Sequence, residues 1–144
     1  MTEAVEHAPP LDLTLAQQTL AAQPFSRFVG AELTAFGDGA ATLEIPLRPE
    51  LLQQNGFVHG GVLSYAADNG ITFAAGTALG PAVLTSGFSI QYVRPATGVR
   101  LLARATVAHA SRRQAVVRCD LLTVDDQGAE TLCALAQGTV RATG

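Results

Sequence analysis

The sequence contains no lysine, so its nine basic residues other than histidine are all arginines, against twelve acidic residues and a net charge of −3. A protein that binds nucleic acid normally carries an excess of basic residues. This composition therefore disfavours nucleic acid as a partner. Arg112 and Arg113 are adjacent, however, and Arg94, Arg100 and Arg104 precede them closely, which leaves room for a local anion site.

Cysteine is scarce, and long apolar runs are missing. The two cysteines, Cys119 and Cys133, have the spacing of neither a disulfide framework nor a metal site, and we interpret them as free core thiols. Gly, Pro, Asp or Arg interrupts every apolar run well before the ~20 residues of a membrane span. The first residues include Glu3 and Glu6 and do not resemble a secretory signal. We therefore expect a cytoplasmic protein with no membrane partner.

The length of 144 residues predicts one domain with a core of its own. We expect a disordered leader over residues 1–12 and a single domain over residues 13–144. The run "LTLAQQTLAAQP" predicts a short helix that Pro24 ends. Two strand-like runs follow from Phe25 around the turn Gly37-Asp38-Gly39, and a long helix is predicted from Gly61 to Leu79. Four more strand-like runs complete the chain: Val83 to Val93, Arg100 to Ala108, Gln114 to Val124 and Glu130 to Arg141.

The connections between these runs are short and rich in turn residues, which favours antiparallel pairing. The pattern therefore predicts an α+β domain with one antiparallel sheet. The long helix is apolar on nearly all sides, and such a helix is buried. We expect a curved sheet to wrap around it.

A polar stripe interrupts this apolar helix. Ser64, Asp68 and Thr72 are spaced by four and fall on one face of the helix. The three side chains can satisfy one another and the backbone, with Ser64 and Thr72 bonding to the preceding helical turn. Asp68 has no arginine nearby in sequence, so we interpret it as a carboxylate in a partly desolvated cleft, suited to act as a general base or nucleophile.

The residues His59-Gly60-Gly61 stand directly before the helix. Glycine at a helix N-terminus lets another molecule approach the free backbone N–H groups at the positive end of the helix dipole. The arrangement suits an oxyanion hole. A tight turn into the helix would explain the same residues, and a lone histidine is more often a satisfied core residue than a catalyst.

Taken together, Gln53, Gly56, His59-Gly60-Gly61, Asp68 and Thr72 resemble the signature of the hotdog-fold acyl-coenzyme A thioesterases. In particular, they resemble the branch of the phenylacetate-pathway and hydroxybenzoyl-coenzyme A enzymes. The strand "LTSGFSIQYVRPA" and the strand order from Phe25 onward are also similar to that family. The resemblance implies a hotdog fold, in which a curved antiparallel sheet wraps around one long helix. It also implies hydrolysis of an acyl-coenzyme A thioester without metal or cofactor.

The resemblance implies a role for individual residues. Gly60 would polarise the thioester carbonyl through its N–H, with His59 supporting the turn, and Asp68 would be the catalytic carboxylate. Gln53 would orient the thioester or the water, and Thr72 would help to hold the water. Thr85 lies where some family members carry a hydroxyl near the catalytic carboxylate, and the neighbouring Ser86 is a less favoured substitute.

We expect Gly61, Thr85 and Ser86 to contact the substrate. Coenzyme A carries phosphates, so the positive charges of Arg94, Arg112 and Arg113 are candidates to bind it, although a solvated turn would explain Arg112 and Arg113 equally well.

The chain combines two patterns of the family, because the phenylacetate type usually has Asn at position 53 and the hydroxybenzoyl type has Glu at position 68. The combination leaves open both the acyl group and the choice between nucleophile and general base. Five aromatic residues could line an aryl or medium-chain pocket, or could serve only the core: Phe25, Phe57, Tyr65, Phe73 and Phe88.

Helix geometry adds a partner to these implied roles. Gly60 and Asp68 are eight positions apart, which places them ~12 Å apart along the helix axis, whereas reacting groups meet at ~3–3.5 Å. One subunit cannot bring both groups to the same thioester. Two copies with antiparallel helices could, so we expect a homodimer with shared sites, and a dimer of dimers is an alternative.

Two other functions compete with hydrolysis. A hydratase or dehydratase of acyl thioesters would share the fold, but it would pair a catalytic His with an acid in a different local pattern. A non-catalytic acyl-coenzyme A sensor would bind the ester without cleaving it. Release of thiol separates the three, because only the hydrolase frees coenzyme A.

Overall fold

The computed structural model describes residues 11–144. Of the predicted leader, only Leu11 and Asp12 lie in this range, and the Asp12 side chain caps the first helix by accepting a hydrogen bond from the backbone N–H of Leu15. Within these residues the three α-helices are α1 (Leu13–Ala21), α2 (Pro24–Val29) and α3 (Gly60–Leu79), and a short 3-10 helix spans Pro49–Leu51. The six strands are β1 (Glu32–Gly37), β2 (Ala40–Pro46), β3 (Val83–Tyr92), β4 (Arg100–Ala110), β5 (Gln114–Val124) and β6 (Glu130–Ala142).

The six strands form one antiparallel sheet in the order β1-β2-β4-β5-β6-β3. β3 follows α3 in the chain but lies at the opposite edge from β1 and β2, next to the last strand. β1 and β3 are therefore the two edges of the sheet. This order confirms the antiparallel α+β architecture expected from the short turns.

α3 packs against the middle of the sheet, and its small residues allow the close approach. Gly70 is buried, and a Cβ at that position would lie 3.4 Å from the Cβ of Ala103 and 3.6 Å from the Sγ of Cys119. Ala67, Ile71 and their neighbours on this face are fully buried. The curved sheet around one long helix is the predicted hotdog fold.

The N-terminal region differs from the prediction after Pro24. The first helix ends at Ala21, before Pro24, as predicted, but Pro24 also begins α2, so Phe25 to Val29 are helical rather than part of a strand. Gln23 is extended, at φ −81° and ψ 115°, as a residue before proline prefers. Proline is favoured at the first helical position, because the backbone N–H that it lacks would have no acceptor within the helix there. Gly30, at φ 87°, ends the helix with the left-handed conformation that glycine adopts without a Cβ penalty.

A chain of side-chain hydrogen bonds ties α2 to α3. The Tyr65 hydroxyl donates to Ser26 Oγ at 2.5 Å, and Ser26 Oγ donates to Gln23 Oε1 at 2.6 Å. Ser26 is only 1% exposed, and burial raises the pKa of Tyr65 above its ordinary value. These bonds satisfy polar groups that would otherwise be unpaired in the core.

Cys119 and Cys133 are both free and buried, as interpreted from the sequence. Burial, with a smaller contribution from the charge of Asp120, raises the pKa of the Cys119 thiol to about 12. A thiol in that state is a core hydrophobe rather than a nucleophile. Within residues 11–144, no helix is both long enough and apolar enough to cross a membrane.

Candidate active site

The polar stripe of α3 faces the edge strand β3. Thr85 donates its hydroxyl hydrogen to Asp68 Oδ1 at 2.7 Å, and the Thr72 and Thr85 hydroxyl oxygens lie 2.5 Å apart. One turn toward the start of the helix, Ser64 Oγ lies 2.9 Å from the Tyr92 hydroxyl. Asp68, which has no arginine nearby in the sequence, thus accepts a hydrogen bond from a threonine of the following strand.

The Thr72 and Thr85 hydroxyls each have one hydrogen to donate, which limits the hydrogen bonds that they can form. Thr85 donates to Asp68 Oδ1, and Thr72 has one hydroxyl hydrogen, which can go either to Thr85 or to the backbone carbonyl of Asp68 at 2.8 Å, the back-bond expected of a helical threonine. Thr72 therefore contacts the carboxylate through Thr85 and not directly.

An irregularity in β3 decides which hydroxyl reaches Asp68. The pairing of β3 with β6 shifts between Thr85 and Gly87, so Ser86 is the extra residue of a bulge. Bulges redirect side chains next to active sites. Thr85 points to α3, whereas Ser86 is exposed and forms no side-chain hydrogen bond within the described residues. The bulge favours Thr85 over Ser86 as the partner of the carboxylate.

Asp68 stands at the rim of a cavity of about 260 Å³ between α1, α3 and the start of β3. Thr72 and Thr85 line the same cavity, together with the apolar side chains of Ala16, Phe36 and Phe73. Asp68 itself is half-buried. Of the five aromatic residues considered from the sequence, only Phe73 lies here, whereas Phe25 is 61% exposed on α2.

The start of α3 carries one occupied and one free N–H group. The exposed His59 caps the helix, and its Nδ1 accepts a hydrogen bond of 2.8 Å from the N–H of Gly61. Within the described part of the chain, the N–H of Gly60 donates to no acceptor. Gly60 therefore keeps the donor expected of an oxyanion hole, and the Gly61 donor is used to hold the histidine.

Gln53 organises the loop that leads to the helix. Its Oε1 accepts from the backbone N–H of Asn55, and its own N–H donates to the carbonyl of Phe57 at 2.8 Å. Gln53 and Gly60 line a second cavity of about 390 Å³, whose wall also includes Arg94. The structure thus brings Gln53, Gly60 and Arg94 together. The side-chain oxygen Oε1 of Gln53 is used by the hydrogen bond within the loop.

Tyr92 belongs to this second cavity and was not singled out from the sequence. Its hydroxyl donates to the backbone carbonyl of Gly60 at 3.1 Å and accepts from Ser64. A Cβ at Gly60 would lie 3.3 Å from the same hydroxyl oxygen. The sequence feature that could have identified Tyr92 is its position as the aromatic residue before Val93-Arg94-Pro95. Only the antiparallel packing of β3 on α3 shows what Tyr92 contacts.

The two halves of the site are separate in one chain. Asp68 and Gly60 line different cavities and are ~12 Å apart along the helix axis. Arg94 lies with Gly60, whereas the turn of Arg112 and Arg113 lies at the other end of the sheet. There the Arg113 carbonyl accepts from Ala142, the register partner of Val83 at the start of β3. Arg112 and Arg113 are therefore on the Asp68 side.

The fold and the two half-sites define a hotdog protein with a carboxylate beside an apolar cavity and a free N–H at the helix start. Residues 55–130 match the profile of the "Thioesterase superfamily". A Mycobacterium tuberculosis (strain H37Rv) protein named "Putative esterase Rv1847" is 30% identical over 123 residues, which cover 82% of this chain and 84% of the relative. The chain belongs to the thioesterase superfamily.

Solved structures agree with this assignment. A thioesterase family protein from Silicibacter pomeroyi is 31% identical, with a TM-score of 0.82 and coverage of 88% of this chain and 94% of the other. The phenylacetic acid degradation protein PaaI from Thermus thermophilus, solved as a point mutant, is 30% identical, with a TM-score of 0.73 and coverage of 83% and 99%. The family membership identifies the protein as a hydrolase of the thioesterase class.

Proposed function

We propose that the protein hydrolyses acyl-coenzyme A thioesters, with Asp68 of one subunit and the Gly60 N–H of its partner acting on the same ester. The observation that carries the proposal is the Asp68 carboxylate, held by Thr85 at the rim of an apolar cavity. The free Gly60 N–H supplies the second group that acyl transfer needs.

The reaction follows from these two groups. The Gly60 N–H donates to the thioester oxygen and stabilises the negative charge that develops there. With Asp68 as general base, the carboxylate takes a proton from water while the water oxygen attacks the carbonyl carbon. With Asp68 as nucleophile, its oxygen attacks first and water cleaves the resulting anhydride. Either route breaks the carbon–sulfur bond and releases the free acid and coenzyme A.

The position of the polar stripe supports a dimer formed through β3. β3 is an edge strand with exposed apolar side chains, since Leu84 is 67% exposed, Phe88 36% and Tyr92 52%. An exposed apolar edge strand is a template for pairing with another chain. Because Asp68 faces this edge, a second copy paired at β3 with its α3 antiparallel would bring its Gly60 toward Asp68.

Coenzyme A is anionic, and the arginines implied for its binding are free to contact it. Arg94, Arg112 and Arg113 are exposed and form no ion pair within residues 11–144. Arg94 lies beside the Gly60 half of the site and the Arg112-Arg113 turn beside the Asp68 half. A site shared between two subunits can therefore receive phosphate contacts from both sides.

The test is the release of thiol from a panel of acyl-coenzyme A esters by wild type and Asp68→Asn. The amide keeps the shape of the side chain and loses its basicity, so we expect kcat to fall by about a hundredfold or more. Asp126→Asn is the matched control, because it makes the same chemical change in the exposed turn between β5 and β6. It should leave kcat unchanged.

Two results would contradict the proposal. If Asp68→Asn cleaves every responsive ester within a few-fold of wild type, Asp68 is not the catalytic carboxylate. If wild type binds the esters without releasing thiol, the protein is a sensor, and an acyl chain altered without thiol release would indicate a hydratase.

A further inference from the structure

We infer that the cavity beside Asp68 is the acyl-binding pocket and that Gly76 sets the length of acyl group it accepts. The inference rests on the proposed function, since it names the substrate class of the same site. It assigns the acyl group to the subunit that supplies the carboxylate.

The residues that line the cavity show that it extends along α3 from Asp68 toward the end of the helix. Gly76 lies eight residues after Asp68 on the same helix, so the cavity extends ~12 Å along α3 from the carboxylate. Gly80 and Pro81, after the end of α3, line its far end with Leu11. An acyl chain whose carbonyl carbon lies at Asp68 would therefore point toward the C-terminal end of α3.

The polar side chains in the wall do not oppose an apolar ligand. Thr19 Oγ1 donates to the carbonyl of Leu15 at 3.0 Å, and Asn69 Nδ2 donates to the carbonyl of Tyr65 at 3.3 Å. Gln23 Oε1 accepts from Ser26 at 2.6 Å. Their hydrogen bonds run to their own helices or to α2, so their carbon atoms can contact an acyl chain without leaving these atoms unpaired.

The volume of the cavity limits the size of the acyl group that it can hold. A dry apolar cavity of ~150 Å³ binds benzene, and a water molecule, similar in size to a methylene group, has a share of ~30 Å³ in the liquid. The 260 Å³ of this cavity then holds roughly eight or nine such groups. The structure points to medium-chain or arylacetyl groups and disfavours long-chain acyl groups.

Gly76 is the residue through which this limit can be changed. Glycine is poor inside a helix, yet Gly76 is buried in α3, and a Cβ added there would meet no atom within 4 Å beyond its chain neighbours and the nearby backbone of its own helix. The space that the missing side chain leaves is part of the cavity. A larger residue at position 76 would fill the pocket from its far half and leave Asp68 untouched.

The experiment measures kcat/KM for acetyl-, butyryl-, hexanoyl-, octanoyl-, phenylacetyl- and palmitoyl-coenzyme A with wild type, Gly76→Ala and Gly76→Leu. Wild type should favour octanoyl and phenylacetyl over acetyl and palmitoyl. Gly76→Leu should lower the octanoyl-to-butyryl ratio of kcat/KM at least tenfold, and Gly76→Ala should lower it less. Ala78→Leu, which adds a similar side chain at an exposed position of the same helix, should leave the ratio unchanged.

Stability separates this effect from damage to the fold. Alanine is a better helix former than glycine, so Gly76→Ala should raise Tm while it narrows the substrate range. A chain-length profile that does not change in either Gly76 variant overturns the pocket assignment and leaves the proposed hydrolysis intact. Absence of thiol release from every ester with wild type overturns the proposed function and this inference with it.

Discussion

At the scale of single residues, the unusual feature is a carboxylate whose partner is a hydroxyl rather than a cation. Thr85 donates to Asp68 Oδ1 at 2.7 Å, and the bulge at Ser86 orients it. The bond orients the carboxylate without neutralising its charge. If Asp68 is the catalytic carboxylate that we propose, Thr85 is a positioning residue, and its effect should appear in the chemical step.

We expect Thr85→Val to lower kcat by about tenfold with a smaller change in KM, because a carboxylate that loses its orienting bond spends less time in the reactive geometry. Thr85→Ser keeps the donor and should restore most of kcat. Ser86→Ala, at the neighbouring exposed position, is the control and should stay within twofold of wild type. A larger loss in Ser86→Ala than in Thr85→Val would assign the orienting hydroxyl to Ser86 instead.

At the scale of elements, a partly buried chain of hydrogen bonds helps to hold the region before β1 to α3. The chain runs from Tyr65 through Ser26 to Gln23. Gln23, which lies between α1 and α2, is also part of the wall of the cavity at Asp68. The stability of this contact and the shape of the pocket therefore depend on the same residues.

Ser26→Ala should lower the free energy of unfolding by about 1–3 kcal/mol, because it leaves the buried Tyr65 hydroxyl without its acceptor. Denaturant unfolding measures the change. The double variant with Tyr65→Phe removes both partners and should be less destabilised than the sum of the two single variants. Strict additivity would mean that the Tyr65–Ser26 bond makes no contribution of its own.

The turn between β4 and β5 is the densest positive element of the described chain. Replacing Arg112 and Arg113 together by alanine should raise KM for coenzyme A esters, more at low salt than at high salt, with less effect on kcat. Arg118→Ala, at an exposed position of β5, is the control for the loss of a positive charge outside the turn. An unchanged KM at low ionic strength would move the phosphate contact to Arg94 or Arg100.

At the scale of the whole molecule, the separation of Gly60 and Asp68 predicts that each active site is shared between two subunits. One variant carries Asp68→Asn and the other Gly60→Pro, which removes the proposed oxyanion donor. His59, at φ −59° and ψ 135°, already has the conformation required before proline, and proline is favoured at the first helical position. Gly60→Ala is the control, because it adds a Cβ and keeps the N–H.

Each variant alone should be nearly inactive, and mixing them should restore activity. With free exchange, about half of the dimers are hybrids with one intact site of two, so roughly a quarter of wild-type activity should return. Native mass spectrometry shows whether hybrids form, and the same spectra distinguish a dimer from a dimer of dimers. Hybrids that stay as inactive as their parents would refute the shared site.

The architecture was accessible from the sequence because it rests on local patterns. The all-round apolarity of α3 predicted its burial, and the turn residues predicted the antiparallel strands. The helix began one residue earlier than predicted, and β5 has the predicted bounds. Phe25 to Val29 were wrongly predicted as strand because a proline that follows one helix can also begin the next, and here the second helix depends on packing against α3.

By itself, the sequence determined which residues carry polar chemistry on an apolar helix, since the spacing of Ser64, Asp68 and Thr72 is a local property. Only the tertiary structure decided that β3, which lies at the opposite edge of the sheet from β1, covers this stripe and supplies Thr85 and Tyr92 to it. The cavity at Gly76 is also a tertiary feature, because an empty volume depends on the distances between α1, α3 and β3. Those distances result from packing and cannot be read from residue spacing along one element.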